Sequence, residues 1–214
     1  MVLGFTGRGA GNGTPDLAAL QQLRAYWEGL RTGGRLPARS EIDPRGIAGA
    51  LENTFLIERI APGIAKFRLC GRHLHDLIGM EPAGMPLSVL FDPEGRARLT
   101  VALEQVFAGP TTLELWLEAE RGVGRPALAG RMLILPLLDQ VGAVRLAVGG
   151  LVTAGGLGRS ARRFAVTTVL AEPLPRRTGE AARLPLPEFA EAPAPFRPAR
   201  PGGKPNLRLV SSRD

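Results

Sequence analysis

A chain of 214 residues that is 44% hydrophobic can bury a sizeable core, and with aromatics at only 5% that core must come from Leu, Val, Ile and Ala. The net charge of +7 is carried almost wholly by arginine, Lys66 and Lys204 being the only lysines, and the arginines are scattered instead of forming a stripe. Direct nucleic-acid binding is therefore not expected, and arginine-rich termini remain as the alternative route to it.

The longest apolar stretch, residues 132–152, is broken by Pro136, Asp139 and Arg145, so it reads as two buried strands and a turn, not as a membrane span. No basic segment leads into an apolar run at the start, and the single cysteine, Cys70, has no intrachain partner. A cytoplasmic protein is expected.

In chain order, the glycines at 7, 9, 11 and 13 lack the lysine and hydroxyl of a P-loop and the G-x-G-x-x-G spacing, so residues 1–14 read as a flexible leader. Thr14, Pro15 and Asp16 then form a helix-start signal, with Thr14 as the N-cap, and Leu20, Leu23, Trp27 and Leu30 recur at helical spacing. An amphipathic helix is expected over 15–31, ended by Gly33 and Gly34. The segment "RLPARSEIDP", residues 35–44, holds nucleophile and base types in Ser40, Glu41 and Asp43 but no neighbouring histidine. Its prolines make it a stiff connector, with Ser40 and Asp43 placed to cap a helical turn at 45–51 and Arg39 expected to pair with Glu41, Asp43 or acids of the sheet.

Two strands follow at 54–60 and 65–71 around an "APG" turn, and alternation puts Phe67 and Leu69 on one buried face. Short helical pieces and a longer helix over 92–108 lead to three further strands at 111–120, 127–138 and 143–153. Leu113, Leu115 and Leu117 face one side of the first of these, and Glu114, Trp116 and Glu118 the other. The last two strands are apolar on both faces, so the sheet must be covered twice: by the short helices, and by helix 15–31 through Leu20, Leu23, Trp27, Leu30 and Trp116. Residues 164–170 are a candidate edge strand, and the proline-rich stretch 173–214 predicts a disordered tail.

The segments "YWEGLRTGGRLPARSEIDP" (26–44), "FRLCGRHLHDLIGMEPAGMPL" (67–87) and "LILPLLD" (133–139) together resemble a family of short bacterial single-domain PAS-like proteins, over residues 20–153. The resemblance implies an α+β fold: a five-stranded antiparallel sheet with short helices on one face and the N-terminal helix on the other, in a domain of residues 15–172. It also implies a non-catalytic sensory and regulatory role through protein–protein interaction, gated by a small ligand, with an unidentified signalling partner and a homodimer formed through the N-terminal helix. Arg72 and Arg131 stand where relatives carry small or acidic residues.

A PAS-like pocket between sheet and helices would be lined by Phe67, Leu69, Leu77, Leu90, Leu103, Phe107, Leu115 and Leu135, residues that also read simply as core. Cys70, His73, His75 and Asp76 are the one cluster of metal-ligand types, and with no other Cys or His in the chain they fall short of a closed zinc site. No metal and no cofactor is expected: Cys70 lacks the Asn and Gln surroundings of the flavin-binding branch, and no histidine falls on the long helix to ligate haem.

Overall fold

The computed structural model describes residues 13–158 and 160–174. The expected leader, apart from Gly13 and Thr14, and the expected tail from residue 175 lie outside the described residues. Six strands, β1 (Thr54–Ala61), β2 (Ile64–Cys70), β3 (Thr111–Ala119), β4 (Leu128–Leu138), β5 (Val144–Gly155) and β6 (Phe164–Pro173), form one sheet in the order β2-β1-β5-β4-β3-β6. Every neighbouring pair is antiparallel. The expected count of five is thus corrected to six: the edge candidate pairs along the whole of β3, from Ala119↔Phe164 to Thr111↔Pro173. It runs past residue 170 because an edge strand has an unpaired side on which a proline costs no ladder bond.

Proline within a central strand needs a different account. The pairing of β3 with β4 stops at Leu113↔Ile134, and the amide of Leu138 on β4 donates to Pro37 O of the connector at 2.9 Å. Amides two residues apart on a strand point the same way, so the missing N–H of Pro136 falls in the gap between β3 and the connector and interrupts neither.

Helix α1 (Ala18–Leu30) begins later than the sequence suggests: Leu17 rather than Thr14 holds the N-cap position, and Asp16 Oδ1 accepts from the Ala18 amide at 2.9 Å. Past its end Gly33 and Gly34 adopt φ of 65° and 81°, a backbone conformation that other residues rarely take. A short helix α2 (Arg72–Ile78) follows β2 directly. Helix α3 (Pro93–Ala108) opens on Pro93, with Asp92 accepting from the Gly95 amide at 2.6 Å.

Two cores share the sheet. On the inner face, α2, α3 and the turn at Leu87–Leu90 cover Phe55, Ile57, Phe67, Leu113, Leu115, Leu117, Met132 and Ile134. The rings of Phe55 and Phe67 meet edge to face there, with centroids 5.6 Å apart. On the outer face, Leu20, Leu23 and Trp27 of α1 pack with Ile47 and Ala50 over Leu133, Leu135, Leu137, Val148 and Val152. Trp27 is fully buried and its indole N–H donates to Pro136 O at 3.0 Å. Gly149 and Gly150 on β5 let both layers approach closely: a β-carbon on Gly149 would lie 2.4 Å from the Phe55 ring, and one on Gly150 2.6 Å from Leu20 Cδ2.

One buried charge holds the loops together. Arg162, 2% exposed, donates from Nη1 to Gly156 O and Leu157 O and from Nη2 to Glu120 O and Pro126 O, while its amide donates to Leu77 O. It ties α2, the β3–β4 loop and the end of β5 to the start of β6. Burial, and then the charge of Arg125, lower its pKa from the usual arginine range.

Candidate functional site: an apolar cleft on the outer sheet face

Glu41 and Asp43, acidic side chains of the connector between α1 and β1, are engaged in local contacts. Glu41 is fixed on both oxygens, by Arg35 at 2.7 Å and by the Ala38 amide at 2.6 Å. The Arg35 hydrogen bond, followed by that of Ala38, holds the Glu41 carboxyl below the usual carboxylate range. Asp43 accepts from the Arg45 amide at 2.9 Å and so caps the 3₁₀ stretch Pro44–Asn53, as its spacing suggests. Ser40 is exposed and makes no side-chain hydrogen bond among the described residues, which corrects its expected capping role. The hydroxyl of Tyr26 on α1 accepts from the Asp43 amide at 2.7 Å and donates to Glu41 O at 3.3 Å. The connector is thereby tied to the helix.

Together with the sheet this connector encloses a cleft of about 160 Å³. Ile42, Pro44, Ile47 and Leu51 form one wall, Thr54 to Leu56 and Leu69 to Gly71 the other, and Val148 part of the floor. Arg39 lies at the cleft and, contrary to expectation, pairs with no carboxylate among the described residues. The reason is local: Arg35 and the Ala38 amide already occupy Glu41. Two of the three segments that carry the family resemblance thus meet across about thirty residues of chain at a single apolar depression.

The residues expected to line one pocket do not share one face. Phe67, Leu77, Leu90, Leu103, Phe107 and Leu115 lie in the inner core, each at most 5% exposed. Leu135 belongs to the outer core beneath α1. Leu69 is 57% exposed and lines the outer cleft. Its phase is reversed by a bulge: Leu56 pairs with Leu69 but Ile57 pairs with Phe67, so Arg68 is an extra residue and simple alternation from Phe67 fails. No periodicity in the sequence announces that bulge.

The helix–sheet set also divides. Leu20, Leu23 and Trp27 are consumed in the chain's own outer core, whereas Leu30 is half-buried at the helix end. Trp116 is not met by Trp27. It lies under the guanidinium of Arg131, 3.5 Å from its ring centroid, and Arg131 pairs with Glu114, which also holds Arg24 at 2.7 Å. The side of α1 left to solvent is polar, with Gln21, Gln22, Ala25, Glu28 and Gly29.

Cys70, His73, His75 and Asp76 are sent to different neighbours. His73 Nε2 lies 3.1 Å from Thr153 Oγ1, His75 Nδ1 3.6 Å from Glu81, and Asp76 4.0 Å from Arg72. No group of three or more His, Cys, Asp or Glu suited to a metal ion forms among the described residues. Burial, and then the charge of Glu81, push the Cys70 thiol up to about 12, so it is a protonated, weakly nucleophilic thiol at neutral pH. Burial lowers the pKa of His73 from the ordinary imidazole value.

Many arginines are neutralised in place, among them Arg24, Arg31, Arg35, Arg59, Arg68, Arg98, Arg125 and Arg131. Among the described residues no helix is long and apolar enough to cross a membrane.

An antiparallel sheet walled on one side by short helices and one longer helix, with an amphipathic N-terminal helix on the other, defines the α+β class of small sensory folds. The sequence pattern of the PAS domain family matches residues 16–152, and the chain belongs to that family. The match ends before β6, so the sixth strand is an addition to the matched region. No curated protein matches the chain. Membership points to a sensory or regulatory module.

Proposed function

We propose that this chain is a non-catalytic, cytoplasmic regulatory module that acts through protein–protein contact as a homodimer and is gated by a small molecule. The observation that carries this reading is the tie between cleft and helix. The segment that walls the cleft is hydrogen-bonded to α1 through Tyr26, so whatever fills the cleft acts directly on the element that covers the outer face. Gating is then a population shift between two packings of α1 and connector on the sheet, and a bias of about 1.4 kcal/mol changes their ratio tenfold.

The chemistry of the candidate groups supports a binding role. The Cys70 thiol is held protonated and the Glu41 carboxylate is occupied by Arg35 and Ala38. Self-association, with Leu20, Leu23 and Trp27 already buried, uses the polar side of α1 around Gln21, Ala25 and Gly29.

Native mass spectrometry of gently purified full-length protein tests the reading. The expected spectrum is a dimer carrying one small molecule per subunit, with the dimer fraction altered in Tyr26→Phe. A bare monomer whose mass and self-association ignore added small molecules would overturn it.

A further inference from the structure

We infer that the outer cleft binds a small monocarboxylic acid with an apolar body of about six carbons, its carboxylate on Arg39 and its body between the connector and the exposed face of β1 and β2. This deepens the gated-module reading and rests on it for its biological meaning, although the binding itself is a separate claim.

Size sets the body. The cleft volume is about 160 Å³, and an apolar cavity of about 150 Å³ accommodates a benzene-sized molecule. The walls set its polarity: Ile47 and Val148 are 2% and 3% exposed and form a dry floor, while Leu51 and Leu69 at the mouth are 40% and 57% exposed. Two half-exposed leucines facing one depression gain by covering an apolar group there.

Charge sets the head group. Arg39 is the one charged side chain lining the cleft, and it has no carboxylate partner among the described residues. A planar guanidinium beside apolar walls selects a planar anion that it can grip with two N–H groups. One arginine balances one negative charge, which favours a monocarboxylate over a phosphate carrying close to two. In the inner core, by contrast, Phe55, Phe67, Leu77, Leu90 and Phe107 are buried between sheet and helices with no charged side chain among the core residues.

Hexanoate is the probe, with 1-hexanol and acetate as the neutral and body-less controls, titrated into ¹⁵N-labelled full-length protein at neutral pH. Saturable shifts at the amides of Leu56, Leu69 and Gly71 are expected with hexanoate, with 1-hexanol about tenfold weaker because it lacks the charge-assisted contact, and none with acetate. Arg39→Gln, whose side chain supports nothing else, should keep its melting temperature and abolish the preference for hexanoate over 1-hexanol. Leu69→Glu, at a position already more than half exposed, should lose both ligands while remaining folded. Shifts at Phe67 and Phe107 instead, equal hexanoate binding by Arg39→Gln, or no saturable shift would overturn the assignment. The functional reading is judged apart: size-exclusion chromatography of the same samples, with hexanoate bound but self-association unchanged, would keep the site and remove the gating.

Discussion

Each face of the sheet carries an apolar core, yet the two are covered in different ways. On the inner face, α2 and α3 press side chains against the sheet until Phe55, Phe67, Leu74, Leu77, Leu87 and Leu90 are at most 1% exposed. On the outer face one helix and a 3₁₀ connector cover strands of the same width, and they leave Leu51 and Leu69 open above a cleft. A layer of regular helices closes over a sheet, whereas a connector stiffened by Pro37 and Pro44 cannot follow its twist everywhere. The cleft opens where the cover is irregular.

The largest effect that bears on this contrast is expected at Trp27. Truncation to alanine removes a fully buried indole and the bond to Pro136, and should cost about 3–5 kcal/mol, read as the change in free energy of unfolding by urea titration. A loss below about 1 kcal/mol would mean that α1 is a loose cover and not part of a core. Arg162→Met comes next, because four backbone carbonyls lose their donor at once; about 3 kcal/mol is expected in the same titration.

The adjacent glycines sharpen the comparison most directly. In Gly149→Ala the new methyl meets the Phe55 ring at 2.4 Å and the backbone oxygen of Leu133 at 2.6 Å, so about 1–3 kcal/mol should be lost. In Gly150→Ala it meets only the terminal methyls of Leu20 and Leu23, which can give way more readily than a ring or the backbone, and the cost should stay below about 1 kcal/mol. Equal costs in thermal melts would show that the outer layer is packed as tightly as the inner.

The smallest effect is a pH dependence. Because burial lowers the folded-state pKa of His73, the unfolded chain binds more protons between that depressed value and the ordinary imidazole pKa of about 6.5. Stability from this group is complete above that ordinary value and falls as the solution is acidified through the window. His73→Gln, which keeps a hydrogen-bonding group toward Thr153, should flatten this part of the stability–pH curve. A variant curve parallel to that of the parent would exclude His73 as its source.

Much of this architecture is legible in the sequence because it depends on local rules. Helical spacing places α1, proline and aspartate open α3, and alternation in β3 separates Leu113, Leu115 and Leu117 from Glu114 and Trp116. The cleft is not legible, since it depends on a bulge at Arg68 that turns Leu69 to the other face. Leu135 escapes for another reason: β4 is apolar on both sides, so alternation separates it from Ile134 without saying which face each one joins. Arg162 stands between Ala161 and Arg163, both exposed, and nothing local distinguishes it from Arg163.

The Arg162 clamp also has a temporal side. Its carbonyl partners lie at residues 120, 126, 156 and 157, and its own amide reaches back to residue 77. During synthesis the chain can pair β1 with β2 early, but the inner layer stays unlocked until residue 162 has emerged, and β6 docks after it. Of these contacts, those reaching back to residues 77, 120 and 126 are far apart in sequence and slow to form. Until then β3 has an open edge and its loops have no anchor, a stage at which exposed strand edges favour misassembly.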